Sequence, residues 1–141
     1  MSRERRLAAV SGCQLAAGVL GLAIAVRRRH AYDVPLLHGR PERVARDAVL
    51  MGTALSAPMV MLVAQGLATA RVLRGGSKTA RLVLGGLGAA MVAGYLGERH
   101  VRERLRPAGW DALESSVVVA GITLAATMGV LGLVSDYLES N

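Results

Sequence analysis

The sequence predicts an all-α, polytopic integral membrane protein: one four-helix transmembrane bundle formed by residues 1–141. The first observation is that uncharged, apolar runs recur four times, at Leu7–Val26, Ala48–Ala70, Leu82–Gly97 and Ser115–Ser135. A helix needs about 20 such residues to cross a bilayer, within a range of about 17–25. The second is that these runs have no charged outer face, which a soluble helix bundle would need. The third is that nearly all of the sixteen arginines flank the runs.

The first predicted span covers residues 7–26, with Ser2 as the N-cap. Val10–Cys13 resembles a lipoprotein cleavage box. However, only four apolar residues, Leu7–Val10, lie between the arginine cluster and Ser11, and a signal segment needs about 7–15. We therefore predict a retained helix in which Cys13 is a small packing residue. A single cysteine excludes an intramolecular disulfide.

The second predicted span covers residues 48–72, within a longer helix over 41–74. Pro41 suits the first helical position, because its missing N–H would be unpaired there anyway. At about 50 Å the helix would exceed a bilayer core, so its first two turns should project into water. Pro58 should kink this helix in the middle of the span.

The third predicted span covers residues 81–98 and is the shortest, because its uncharged part measures only about 24 Å. Ser77 is the expected cap, and the arginines at either end can extend the apolar segment by snorkelling. We predict one helix over 78–105 that continues into water. If this segment spans the membrane, the two large arginine-rich connections lie on the same side.

The fourth predicted span covers residues 115–136. Asp111 and Glu114 resemble a capping box, with aspartate in place of serine or threonine at the cap. This pattern predicts that the last helix begins directly after Asp111.

Small residues recur along three of the predicted helices and indicate close helix packing. The predicted packing positions are Ala17, Gly21, Gly86, Ala90, Gly94, Gly121, Ala125 and Gly129. These stripes could close the bundle of one chain, or they could leave a surface for a second copy or another membrane protein.

The first and third connections contain all three histidines and ten of the arginines. Such a surface suits the headgroups of anionic membrane lipids. The predicted headgroup-binding residues are Arg29, His30, Arg43, Arg46, Asp47, Arg99, His100, Arg102 and Glu103. We predict no metal and no cofactor, because a surface so rich in arginine would repel a cation.

Other classes of function fit the sequence less well. No predicted span has an ionisable residue near its centre, which argues against a proton-coupled carrier. A channel would need Gln14, Gln65 and Thr123 to face one another. Nucleic-acid binding is not predicted, because the basic residues flank apolar runs and do not form a groove.

Two hypotheses of function remain. The first is a small non-enzymatic membrane protein, either an accessory or structural subunit or a homo-oligomer packed through its Gly/Ala stripes. The alternative is a membrane enzyme or carrier that handles a lipid-like or isoprenoid substrate at the Arg/His side. The near absence of lysine is typical of a GC-rich bacterial genome, so we expect the bacterial inner membrane. The positive-inside rule favours the cytoplasm for the arginine-rich connections.

Overall fold

A computed structural model describes residues 2–31, 33–34, 36–53 and 55–139, and most of these residues are helical. Within these ranges the chain forms six α-helices, with a small antiparallel hairpin after the first. The elements are α1 Arg3–Arg28, β1 Asp33–Val34, β2 Leu37–His38, α2 Val44–Asp47, α3 Met59–Leu73, α4 Lys78–Gly97, α5 Arg99–Arg104 and α6 Ala112–Glu139. Single 3-10 turns lie at Pro41–Arg43 and Pro107–Gly109.

Three helices are long and apolar enough to cross a membrane: α1, α4, and the Ala112–Val134 part of α6. Their outward surface carries large apolar side chains, such as Val130, which is 60% exposed. Water would not favour such a surface, whereas lipid tails would. The all-α prediction is therefore confirmed, and α1, α4 and α6 correspond to the first, third and fourth predicted spans.

Local capping residues begin two of these helices as predicted. The Ser2 side chain accepts a hydrogen bond from the Arg5 backbone N–H at 3.3 Å. The Ser77 side chain accepts one from the Ala80 N–H, also at 3.3 Å. Each bond satisfies a backbone donor that the first turn of a helix leaves unpaired.

The second predicted span is wrong as a single helix. Residues 48–53 and 55–58 form turns and extended backbone, and α3 has only 15 residues, about 22 Å of helix. Gly52 adopts a φ of +82°, which a helix cannot accommodate. Pro58 is extended and lies just before α3, so it breaks the helix completely where we predicted a kink.

The non-helical segment is held against α1. Thr53 and Ser56 exchange two backbone hydrogen bonds, of 3.0 and 3.4 Å, which close a tight loop. Leu55 is fully buried, and its carbonyl oxygen lies where a Cβ on Gly21 would be. The loop can therefore approach α1 only because residue 21 has no side chain.

The predicted continuous helix over 78–105 is also wrong, because Glu98 interrupts it. Glu98 is extended and buried, whereas a helical residue at this point would project into water. Both of its carboxylate oxygens accept the backbone N–H of Asp33, at 2.8 and 3.0 Å. The end of α4 is closed by the Arg102 guanidinium, which donates to the carbonyls of Leu96 and Gly97.

The closest helix packing joins α4 and α6 through glycine. A Cβ added to Gly88 would lie 2.5 Å from the backbone nitrogen of Gly129 and 2.6 Å from the carbonyl oxygen of Ala125. One turn away, a Cβ on Gly132 would lie 2.5 Å from the backbone of Gly85. The two backbones thus touch directly, as expected for helices that associate through small residues.

The predicted packing residues divide between two surfaces. Gly21, Gly121, Ala125 and Gly129 are buried within the chain, and Ala17 is half-buried. In contrast, Gly86, Ala90 and Gly94 lie on an exposed face of α4. A Cβ on either glycine of that face would have no atom within 4 Å.

Cys13 is exposed, so it does not pack against the described helices of this chain. A repeat of four residues advances 400° around a helix, and so it drifts off one face by about 40° per step. The buried seam of α1 instead alternates steps of three and four. Its members are Leu7, Ser11, Gln14, Gly18, Gly21 and Ala25.

Candidate functional site

The two arginine-rich connections meet at one end of the bundle, as the sequence predicted. Glu114 is the residue that joins them. It lies in the first turn of α6, and its side chain is fully buried. Its donors come from the end of α1 and from α5, which are far apart in the sequence.

Four cationic or imidazole side chains bond to the Glu114 carboxylate, two on each oxygen. Arg28 Nη1 and His30 Nε2 contact Oε1, at 2.5 and 2.9 Å. His100 Nε2 and Arg104 Nε contact Oε2, at 2.9 and 2.7 Å. We refer to these five residues as the Glu114 cluster. Charge-assisted bonds of this kind are about twice as strong as neutral ones, so the cluster is a strong tie between α1, α5 and α6.

The two histidines of the cluster lie side by side. Their ring centroids are 4.4 Å apart and their planes are tilted by 36°. An ionised carboxylate only accepts hydrogen bonds, so both rings donate from Nε2. No described residue forms a hydrogen bond with Nδ1 of either ring.

The end of α1 directs His30 into the cluster. Arg29 adopts a left-handed conformation with a φ of 55°, and it caps the helix. The His30 backbone N–H then bonds back to the Ala25 carbonyl at 2.8 Å. This helix-ending turn reverses the chain, so that consecutive arginines diverge: Arg28 bonds to Glu114, whereas Arg29 does not.

The β1–β2 hairpin is attached to the same site through Asp33. Its backbone N–H bonds to Glu98, and its Oδ1 accepts from His38 Nδ1 at 2.5 Å. Burial raises the pKa of Glu98 above its usual value of 4.5. Glu98 thus holds the hairpin through the Asp33 backbone. The Asp33 side chain lines the same pocket as His30 and His100.

Asp111 positions Glu114 by capping α6. Its carboxylate accepts the backbone N–H groups of Leu113 and Glu114, at 3.2 and 2.8 Å. The bond to the Glu114 N–H holds the pKa of Asp111 below its usual 3.8. The predicted helix start is confirmed. The Glu114 side chain, however, does not close a capping box, because Ser115 Oγ accepts the Asp111 N–H in its place.

A pocket of about 350 Å³ opens beside the two histidines. We call it the hairpin pocket. It is lined by Arg29, His30, Ala31, Asp33, His38, Gly39, Pro41, Arg99, His100 and Glu103. Arg99 bonds to Glu103 at 3.0 Å and lies 3.8 Å from Asp33. Arg29 contacts no carboxylate among the residues that the structure describes.

Five of the nine predicted headgroup residues line the hairpin pocket: Arg29, His30, Arg99, His100 and Glu103. The other four, Arg43, Arg46, Asp47 and Arg102, do not line it. Arg102 caps α4, as described above. The neighbouring residues Arg43, Arg46 and Asp47 lie where the predicted long helix is replaced by a 3-10 turn and α2.

Three members of the Glu114 cluster were not predicted as site residues: Arg28, Arg104 and Glu114 itself. In the sequence Glu114 fits a local capping pattern, which accounts for it without long-range partners. Arg28 is one of three consecutive arginines, and only the turn at Arg29 distinguishes it. The only sequence feature that pointed to this cluster was that two connections rich in arginine and histidine were expected on one side of the membrane.

Three potential metal ligands converge in the cluster. Ligand atoms of His30, His100 and Glu114 lie within 4.8 Å of one another. The same carboxylate oxygens also bond two guanidinium groups, which would compete with a cation and repel it. The donor set suits a carboxylate held by cations better than it suits a metal centre.

No protein-family model, curated protein or solved structure matches this chain.

Proposed function

We propose that the chain is a small non-enzymatic protein of the bacterial inner membrane whose hairpin pocket binds the phosphate-bearing headgroup of an anionic lipid. The observation that carries this proposal is the set of cationic and imidazole side chains that line the pocket. There Arg29 and Arg99 stand beside His30 and His100, at the end of three apolar helices. A headgroup bound at this place would have its acyl chains in the bilayer beside the bundle.

The charge of this end of the bundle supports an anionic ligand. Residues 27–47 and 98–114 contain ten arginines and seven carboxylates. Arg99 is shared between two carboxylates, whereas Arg29 has none among the described residues. Arginine is well suited to phosphate, because its planar guanidinium can donate two parallel hydrogen bonds.

The Glu114 cluster supports the proposal by holding the pocket wall in place. His30 and His100 each use one ring nitrogen on the buried carboxylate, so their rings cannot rotate freely. A ligand entering the pocket therefore meets groups that are already ordered, and their ordering costs little extra free energy on binding.

Lipid binding can be measured by native mass spectrometry of the purified protein with phosphatidylglycerol or phosphatidylcholine. We expect the wild type to retain phosphatidylglycerol preferentially. Arg29→Asn should weaken this retention about fivefold, because one arginine at a lipid surface contributes about 1 kcal/mol. Asparagine is chosen because it tolerates the left-handed backbone of residue 29.

Arg106→Gln is the matched control. Arg106 is exposed at the same end of the bundle but does not line the pocket. Equal retention of the two lipids by the wild type would contradict the proposal. So would equal losses in the Arg29 and Arg106 variants, because that result would indicate attraction by net charge alone.

The same protein is also proposed to associate through the exposed Gly86–Ala90–Gly94 face of α4, either with a second copy or as a subunit of a larger membrane assembly. Small residues on a lipid-facing surface allow another helix to approach closely. Gly94→Leu should shift the protein to a smaller species on native gels in mild detergent. Val130→Leu, on the exposed face of α6, should not. A wild type that runs as a monomer would contradict self-association.

The alternative is an enzyme or carrier acting on a lipid-like substrate, and the Asp33–His38 pair favours it. His38 Nδ1 bonds to Asp33, an arrangement that orients an imidazole to act as a general base through Nε2. Incubation with phosphatidylglycerol followed by mass analysis of the recovered lipid tests this alternative. A product that disappears in His38→Gln would favour it, and chemically unchanged lipid would exclude it for this substrate.

A further inference from the structure

A second polar site lies inside the bundle, far from the hairpin pocket. Ser11 and Gln14 of α1 and Gln65 of α3 are all fully buried. Ser11 and Gln14 lie about 12 and 17 Å along α1 from its start. That places them near the centre of a bilayer core about 30 Å thick. Amides and hydroxyls at this depth need hydrogen-bond partners, because lipid cannot supply them.

Part of this group forms a closed chain of hydrogen bonds. Gln65 Nε2 donates to the Ser11 carbonyl at 2.9 Å and to Ser11 Oγ at 3.1 Å. Ser11 Oγ and Thr69 Oγ1 are 2.7 Å apart, and Thr69 Oγ1 donates to the Gln65 carbonyl at 2.7 Å. The Ser11 carbonyl fixes the orientation of the Gln65 amide, because a flipped amide would direct its oxygen at that carbonyl.

Three buried amide atoms of this group form no hydrogen bond with the described residues. They are Gln65 Oε1, Gln14 Nε2 and Gln14 Oε1. Gln14 lies one turn from Ser11 on the buried seam of α1, and Ser11 is bonded to Gln65. The next contact along that seam joins Gly18 to Leu62, one turn before Gln65 on α3. Gln14 therefore lies between Ser11 and Gly18, the two points at which this seam contacts α3.

We propose that the Gln14 and Gln65 amides form an internal hydration site that binds one or two water molecules in the middle of the bundle. Water can donate to Gln65 Oε1 and to Gln14 Oε1, and it can accept from Gln14 Nε2. Three partners are the usual number for a buried water molecule. The site is not part of a continuous channel, because Thr123, the third polar residue that a path would require, is exposed on α6.

Met128 provides a local probe of this water. Its sulfur lies 3.6 Å from Gln65 Nε2, and its side chain is fully buried. When the intact protein in nanodiscs is exposed to millisecond X-ray pulses, bound water produces hydroxyl radicals that oxidise the adjacent methionine. Met91 is an internal reference, because it is also buried and lies on α4. We expect Met128 to be oxidised faster than Met91, because bound water lies only beside Met128.

Gln14→Leu should reduce the oxidation rate of Met128 to that of Met91. Cys13→Ala, on the exposed side of α1, should leave it unchanged. Equal rates for the two methionines in the wild type would overturn the proposal, as would a Met128 rate that does not respond to Gln14→Leu.

Thermal unfolding gives a second, independent readout. If water joins the two amides, Gln14→Leu removes it and leaves Gln65 Oε1 unpaired, so the unfolding midpoint should not rise above that of the wild type. A dry, unpaired amide would instead make the leucine variant clearly more stable. A large rise in the midpoint therefore also overturns the proposal. Gln14→Met replaces the leucine variant if leucine does not fold.

Discussion

Glu114→Gln is the substitution that most directly tests the Glu114 cluster. Glutamine has nearly the same shape as glutamate, so it leaves no cavity. It removes the negative charge and replaces one acceptor oxygen with an NH₂ donor. That donor would face either the Arg28–His30 pair or the His100–Arg104 pair, all of which are donors themselves.

The expected loss follows from burial. Breaking a buried ion pair by removing one partner costs about 3–5 kcal/mol. The arginine side chains, Arg28 and Arg104, are 42% and 27% exposed, so each can turn partly toward water when its partner is lost. The lower end of the range therefore applies. We expect Glu114→Gln to reduce the free energy of unfolding by about 3 kcal/mol, or to lower the unfolding midpoint by about 10 °C for a chain of this size.

Thermal unfolding in mild detergent, followed by circular dichroism, measures this loss. Glu103→Gln is the matched control, because Glu103 also pairs with an arginine on α5, but its side chain is 50% exposed. An exposed pair four residues apart contributes about 0.3–0.5 kcal/mol. The control should therefore shift the midpoint by only about 1–2 °C.

Salt separates the two pairs further. At high ionic strength the exposed Glu103 pair should contribute nothing measurable, whereas the buried Glu114 contacts should persist. If Glu114→Gln lowers the midpoint no more than the control does, the cluster does not tie the helices together. The proposal that the cluster holds His30 and His100 in place would then also be contradicted.

Three further predictions concern helix packing and capping. Gly88→Ala should lose about 1–3 kcal/mol in thermal unfolding, because its Cβ would meet the backbone of α6. Gly86→Ala on the open face of α4 should gain up to about 1 kcal/mol, and equal effects at these two positions would refute the packing. Gly21→Ala should likewise destabilise the loop held against α1, whereas Gly12→Ala, which has open space, should not. Asp111→Asn keeps the capping acceptor but removes a carboxylate with a lowered pKa. Its stability deficit should therefore be present above the usual pKa of 3.8 and should vanish as the pH falls through the lowered value.

The two connections that carry the predicted headgroup residues meet at one end of the bundle, and five of the nine residues line the hairpin pocket. Arg99 and His100 could be placed beside Arg29 and His30 because an even number of predicted crossings returns the chain to the same side. The structure brings these connections together even though the second span is not one helix. Glu114 could not be identified, because its role depends on donors that lie 84 and 86 positions earlier in the chain, at His30 and Arg28.

Local chemistry was sufficient to predict where three helices begin and that they are apolar enough for a membrane. A cap such as Ser2, Ser77 or Asp111 acts within three or four residues, so its effect can be recognised from neighbours in the sequence. The tertiary structure decided the rest. Glu98 breaks a helix because burial against the hairpin outweighs continued helical hydrogen bonding, and Glu114 gathers its partners because an ionised carboxylate inside a bundle requires several donors. Neither preference can be recognised from nearby residues, since both depend on segments that only folding brings together.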